Sequence, residues 1–203
     1  MDYIGEENSN ISYTYNGWLD LFGWGTGDNP IKLSQDINDY QTFVDWGINK
    51  IGNDAPNTWR TLTSNEWEYL LNTRTNATSL KGVAQVNGVN GLILLPDNWI
   101  CPAGVSFKSG FHSDWGVEAY GQYQTFSADQ WSKLESAGAV FLPAAGERGG
   151  SYVDYVQQGG SYWSTSEYNS NCAENLLLYS NDAYMDAFDR YNGYSVRLVK
   201  DLN

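Results

Sequence analysis

The strongest constraint on this chain is a local one that occurs twice. In Leu62-Thr63-Ser64-Asn65-Glu66-Trp67-Glu68-Tyr69-Leu70-Leu71, Thr63 can accept from the backbone N–H of Glu66 while the Glu66 side chain reaches back, a capping box. Leu62 and Trp67 occupy the two positions of a hydrophobic staple, and Trp67, Leu70, Leu71 and Arg74 share one helical face. The spacing predicts a helix beginning at about residue 63. The pattern recurs in Phe126-Ser127-Ala128-Asp129-Gln130-Trp131, with Ser127 as cap, Gln130 as its partner and Phe126 stapled to Trp131. It predicts a second helix running to about Ala137 and stopping at Gly138.

Around these helices the chain reads as short strands and irregular connections. Apolar runs bounded by turn residues at Gly91 to Leu95, Ala139 to Leu142, Leu176 to Tyr179 and Tyr194 to Val199 read as strands. In the third, alternation places Leu176 and Leu178 on one face and Asn175, Leu177 and Tyr179 on the other, one face core and the other able to be wet. The 21 scattered glycines point to many tight turns and few long helices. Two helices interleaved with short strands and long connections predict an α+β domain rather than a doubly wound sheet. A length of 203 residues fits one such domain. The aromatic run Gly17-Trp18-Leu19-Asp20-Leu21-Phe22-Gly23-Trp24-Gly25 has no helical period. It reads as an irregular loop pinned to the core by its rings more readily than as a ligand platform.

Charge and motif content narrow the function classes. The formal net charge of −13, with 24 acidic and 11 basic residues, leaves no basic stripe, so nucleic acid is not an expected partner. No apolar run approaches the roughly 20 residues of a spanning helix, and residues 1 to 20 lack a signal-peptide pattern. Direct membrane insertion is not expected, and localisation is not encoded in these residues. Cys101 and Cys172 have neither CxxC spacing nor a His cluster, and two small buried thiols are a better reading than a disulfide staple. His112, the one histidine, stands in Gly110-Phe111-His112-Ser113-Asp114-Trp115 without a nucleophile-elbow pattern, so a loop histidine is expected. Asp28-Asn29, Asp36 to Asp39 and Asp182 to Asp189 lack the EF-hand loop, although a calcium site of another design stays open. A carboxylate pair for glycoside hydrolysis also stays open, because the separation it needs is spatial. The missing ligand clusters and phosphate-binding glycine motifs predict that no metal or organic cofactor is needed.

One segment stands apart. Between Ser151 and Tyr194 tyrosines are interleaved with Asn, Ser, Asp and Gly, and no lysine occurs between Lys133 and Lys200. Tyr offers large amphipathic area with few rotatable bonds, while Ser, Asn and Gly adapt their hydrogen bonds, the composition of antibody-like recognition surfaces. Ordinary solvated loops are richer in Lys and Glu.

Gly160-Ser161-Tyr162-Trp163-Ser164-Thr165-Ser166, followed by Gly193-Tyr194-Ser195-Val196-Arg197-Leu198-Val199-Lys200, resembles the C-terminal signature of a C-type-lectin-fold family. Its members include the Fibrobacter succinogenes major paralogous domain and the variable proteins of diversity-generating retroelements. The resemblance extends through Trp59-Arg60-Thr61-Leu62-Thr63, Glu66-Trp67-Glu68-Tyr69-Leu70, Leu92-Ile93-Leu94-Leu95-Pro96-Asp97 and Gly138-Ala139-Val140-Phe141-Leu142-Pro143-Ala144-Ala145-Gly146. These cover most of residues 59 to 200. The Thr63 to Leu70 and Gly193 to Val199 stretches are also similar to formylglycine-generating enzymes. That class depends on a closely spaced cysteine pair, and here Cys101 and Cys172 are isolated, which leaves the fold without that chemistry.

The resemblance implies a C-type-lectin-like fold over 1–203, with 1–58 an irregular part packed on a 59–200 core and 151–194 the candidate variable segment. It implies a non-enzymatic binding module of adhesin or receptor-binding type, extracellular on a bacterial surface or phage virion, whose ligand is a macromolecule, a protein or a cell-surface glycan. The alternatives are a carbohydrate-active enzyme or a non-diversified surface lipoprotein domain on the same fold. In diversified relatives, randomised Asn codons yield Asn, Tyr, Ser, Asp, Phe, Ala and others, but not Lys, Glu, Gln, Met or Trp. The residues compatible with that rule, and so the implied ligand-binding set, are Tyr152, Asp154, Tyr155, Tyr168, Asn169, Asn171, Asn175, Tyr179, Asn181, Asp182, Tyr184, Asp186, Phe188, Asp189, Tyr191 and Asn192. Trp163, which the signature places in the scaffold, is expected to be buried.

Overall fold

The computed structural model describes Trp24, Asn38 and residues 42–149 and 152–201. The run Gly17 to Gly25 apart from Trp24, Asp28-Asn29, Asp36 to Asp39 apart from Asn38, and the side chain of Tyr152 lie outside the described residues.

Within them the protein is α+β. Three α-helices, α1 (Ser64–Glu68), α2 (Val117–Tyr123) and α3 (Ala128–Ser136), accompany eleven strands. The strands are β1 (Arg60–Thr61), β2 (Lys81–Val86), β3 (Val89–Leu94), β4 (Thr125–Phe126), β5 (Val140–Pro143) and β6 (Ala145–Gly149). They continue with β7 (Tyr152–Val156), β8 (Gly159–Glu167), β9 (Cys172–Tyr179), β10 (Ala183–Asp189) and β11 (Leu198–Val199).

Both capping boxes form. Thr63 Oγ1 accepts from the Glu66 N–H at 3.2 Å and Glu66 Oε2 accepts from the Thr63 N–H at 2.8 Å. Ser127 and Gln130 make the same reciprocal pair at 3.3 and 2.9 Å. A π-helical turn, Tyr69–Thr73, extends α1. Helix α3 ends where glycine is required: Gly138 has φ +96°, a region that side chains other than glycine's enter at a cost, and the Pro96 ring lies 3.2 Å from where a Cβ would stand.

The sequence predicts two helices and the structure has a third. At its start, Gly116 supplies no side-chain cap, so α2 carries none of the end signals that mark α1 and α3; it is held instead by the burial of Ala119 and Tyr120. The expected strand Tyr194 to Val199 is also shorter than predicted. Only Leu198–Val199 joins a sheet, while Gly193 and Ser195 make single bridges to Arg148 and Tyr162.

The larger sheets stack on either side of one core. The four-stranded sheet runs β4-β2-β3-β5 and the five-stranded sheet β10-β9-β8-β6-β7. Val83, Leu92, Leu94 and Leu142 of the first meet Tyr162, Leu176, Leu178 and Ala183 of the second, with Trp67 and Leu71 and Tyr120 of α2 closing the cluster. Alternation sends Ala84, Val86 and Ile93 to the other face of the four-stranded sheet, against Leu134 of α3 and Phe126. Burial of each large side chain here contributes about 1.5–3 kcal/mol.

A small third sheet pairs β1 with β11, Arg60 opposite Val199 and Thr61 opposite Leu198. Arg60 braces it with two bonds to Glu66, at 2.7 and 2.9 Å, and with bonds to Asp201 of which the shortest is 3.0 Å. The residues before β1 also grip the core: the Asp45 carboxylate accepts from the Thr61 N–H, and Trp24 donates its indole N–H to the Ser164 carbonyl at 3.0 Å. The two thiols are unpaired, but Cys101 is exposed and Cys172 only half-buried, which corrects the expectation of two buried thiols.

Candidate functional site

The face of the five-stranded sheet turned away from the common core gathers the residues of interest. The registers Glu147↔Asp154, Ser161↔Leu177 and Tyr184↔Leu177 fix most of one row, and the bridge Gly146↔Gly160 sets Glu147 beside Ser161. The row therefore reads Asp154, Glu147, Ser161, Leu177, Tyr184 across all five strands, about 19 Å at the usual spacing of about 4.8 Å between strands. A neighbouring row holds Trp163, Asn175 and Asp186, and Phe188 follows opposite Ala173. On the other side Tyr179 faces Gly159, whose missing Cβ leaves room for the Tyr179 ring; an added Cβ would stand 2.6 Å from it.

Aromatic rings floor one end of this face. Trp163 and Tyr194 lie 4.4 Å apart between ring centres, Phe188 meets the Tyr194 ring edge-on at 6.2 Å, and Trp24 joins the same buried cluster. Tyr184, Phe188 and Tyr155 remain exposed above the sheet. Tyr155 has φ +58°, a left-handed conformation that costs a side-chain-bearing residue roughly 1–2 kcal/mol. It sits at the kink where Gly146, also at positive φ, lies so close to the Asp154 carbonyl that an added Cβ would stand 2.2 Å from it.

The electrostatics are one-sided. Burial pushes the Glu147 carboxyl above the ordinary carboxylate range, the neighbouring Asp154 adds to the rise, and hydrogen bonds from Ser161 and Tyr194 oppose it. Burial likewise raises the hydroxyls of Tyr179 and Tyr184, helped in Tyr179 by Tyr184 and Glu147 and in Tyr184 by Asp186 and Asp182.

The sixteen residues singled out from the sequence separate into groups. Asp154, Tyr179, Tyr184, Asp186 and Phe188 share the face, with Tyr155 at its kinked edge. Asn181 and Asp182 lie in the β9–β10 turn at one end. Tyr168, Asn169 and Asn171 lie in the β8–β9 turn at the other, where Asn169 Oδ1 accepts from the N–H groups of Asn171 and Cys172. Tyr168 is the most exposed of the tyrosines there, at 64%. Asp189 falls on the opposite parity from Phe188, opposite Cys172, and accepts from the Tyr191 hydroxyl at 2.8 Å. Asn192 donates to the Tyr194 hydroxyl. Tyr152 is placed in β7 by its backbone.

Asn175 requires a correction. It lies on the face but is 0% exposed, because its neighbours there include Trp163 across the strand pair, and neither amide atom has a hydrogen-bond partner. The expectation that this side of β9 is wet holds at Tyr179 and fails at Asn175 and Leu177. Conversely, Glu147, Ser161 and Tyr194 join this face although none was singled out as a site residue; Ser161 and Tyr194 stood in the C-terminal signature, and Glu147 carried no sequence signal. Glu147 precedes the tyrosine-rich segment, and only the β6–β7 pairing reveals its partner.

Away from this face, His112 Nδ1 accepts from the Asp114 N–H at 2.9 Å in a loop. Among the described residues no group of three or more His, Cys, Asp or Glu is gathered as a metal ion would require, and no helix is long and apolar enough to cross a membrane. Comparison with known proteins finds no matching family model, no matching curated protein and no matching solved structure.

Proposed function

We propose that this protein is a ligand-binding module, a C-type-lectin-like scaffold that presents the outer face of its five-stranded sheet to a macromolecule, and that the face is diversified as in retroelement variable proteins. The observation that carries the reading is the registered placement of Tyr184, Asp186 and Phe188 on an exposed strand face above a buried Trp163–Tyr194 layer. Rigid aromatic anchors on a packed support, ringed by adaptable polar groups, are what interface energy concentrates in. The lectin-like part of the reading draws support from β1 and β11, which join the two ends of the stretch carrying the resemblance. Diversification draws support from the Tyr, Asn, Asp and Ser content of residues 151–194, of which Tyr184, Asp186 and Phe188 stand exposed on one strand.

The test is a screen against surface proteins and a glycan array, followed by alanine substitution of Tyr155, Tyr184 and Phe188. Each anchor should lose roughly 2 kcal/mol or more of binding at little cost in melting temperature. If substitutions at the face leave affinity untouched, the site is elsewhere. Diversification has its own check: a near-copy of the 3′ coding end beside a reverse-transcriptase gene.

A second reading, a carbohydrate-active enzyme, rests on one observation. Glu147, biased toward its protonated form, faces the Asp154 carboxylate across β6 and β7, an arrangement that can divide acid and base roles. Turnover in a glycoside-hydrolase panel that vanishes in Glu147→Gln would establish this reading; binding without turnover would leave the module.

A further inference from the structure

The chemistry of the partner is written in the charge of the face. Asp182 and Asp186 flank Tyr184, Glu147 and Asp186 lie near Tyr179, and Asp154 sits beside Glu147 at the far edge of the sheet; none of the four carboxylates makes an ion pair among the described residues. Of the cations, Arg148 and Arg190 are both buried, Arg190 stacked on the Trp24 ring at 4.2 Å and paired with Glu167 at 3.1 Å, and Lys81 attracts Asp182 without forming an ion pair. Asp186 is held in place by the Ala187 N–H, which donates to its Oδ1 at 2.8 Å, and Asp182 likewise by the Ala183 N–H at 2.7 Å. Along β10 the order Asp182, Tyr184, Asp186 thus sets an aromatic ring between two anchored carboxylates.

Resting on the binding-face reading, we propose that the occupant of this face is a protein segment bearing arginine or lysine side chains. A guanidinium laid on the Tyr184 ring meets a carboxylate on either side, combining cation–π attraction with charge-assisted hydrogen bonds. Its arrival also relieves the repulsion between Asp182 and Asp186 on either side of Tyr184, a gain available to no neutral or anionic ligand. Sulfated or uronic-acid glycans are repelled by the same field.

The experiment is selection of a random-peptide phage library on the immobilised full chain, with the recovered peptides rebound to three variants. These are Asp182→Asn/Asp186→Asn, Tyr184→Ala, and the control Asp129→Asn/Glu135→Gln on exposed α3, all matched to the parent in melting temperature. Recovered peptides should be enriched in Arg and Lys about threefold or more over the unselected library. Their binding should fall about tenfold in the first two variants, stay unchanged in the control, survive Tyr184→Phe, and weaken as salt rises from about 50 to about 500 mM. Peptides that depend on Tyr184 and Asp186 yet show no Arg or Lys enrichment overturn this inference and leave the binding face standing. Peptides indifferent to the face variants, or an empty selection, overturn both.

Discussion

Glu147 shows how one residue can set a pH response. Its folded-state carboxyl lies above the ordinary value of 4.5, first through burial and then through Asp154. The folded chain therefore holds this proton more tightly than the unfolded chain. The associated stability is present below the ordinary value and is lost as pH rises through the folded one. Glu147→Gln, which cannot ionise, should melt higher than the parent at pH 7, and the gap should close by about pH 4. Calorimetry at the two pH values decides it; an equal gap at both would show that shape rather than charge is at work. A second contrast at this scale separates anchor from support. Tyr184→Ala, at an exposed position, should change stability by about 0.5 kcal/mol. Trp163→Ala, with its ring buried against Tyr194, should cost about 3–5 kcal/mol. Denaturant titration of both tests the pair, and a comparable loss at Tyr184 would make it a core residue. Trp163 was legible beforehand from its place in the signature, whereas Glu147 was not, since its environment exists only once β6, β7 and β8 are in register.

At the scale of elements, the titration runs the other way in α1. Arg60 first, and the Thr63 N–H and hydroxyl after burial's opposing effect, bring the Glu66 carboxyl down to about 2. Its contribution is present above the ordinary value and disappears as pH falls toward the folded one. Glu66→Gln should therefore melt below the parent at neutral pH and converge with it near pH 2, while Thr63→Ala should cost about 1 kcal/mol at neutral pH and less in acid, where its hydroxyl no longer holds a carboxylate. Thermal melts across that range check both, and a Glu66→Gln deficit that persists in acid would mean the cap rather than the Arg60 charge carries the effect. Elements encoded by such short-range chemistry, α1 and α3, were readable in advance. The Asn87-Gly88 turn carried an equally local signal, with φ of +48° and +83° in the manner of a type I′ hairpin, and it would have announced β2 and β3 together. By contrast, β10 resembles a tyrosine-rich loop because its inward residues, Ala183, Met185 and Ala187, give a weak alternation. Pairing with β9 makes it a strand. No cap marks α2, so its helicity is a tertiary effect.

For the molecule as a whole, two sheets share a core while the five-stranded sheet turns its second face away from it, and this explains the uneven legibility of the candidate site. Composition singled out a stretch of chain, but sixteen candidates chosen by residue type cannot be sorted by face without register. A one-residue shift exchanges Asp186 with Met185, one facing out and the other packed against the core. The clasp of β1 on β11 has a mechanical meaning. Because Arg60 lies opposite Val199 and Thr61 opposite Leu198, the outward-leading chain ends leave from the same end of the pair. Tension applied between those ends opens the clasp as a zipper, one hydrogen-bonded rung at a time, with the Arg60–Asp201 and Lys200–Asp54 contacts as its first teeth. Single-molecule pulling from the two termini should show this clasp yield at low force before the sheets do, and a single high-force rupture would refute that order. A load that leaves through the chain beyond β11 alone still draws that strand off β1, so the clasp is the fuse of the domain, giving way before the two larger sheets are disturbed.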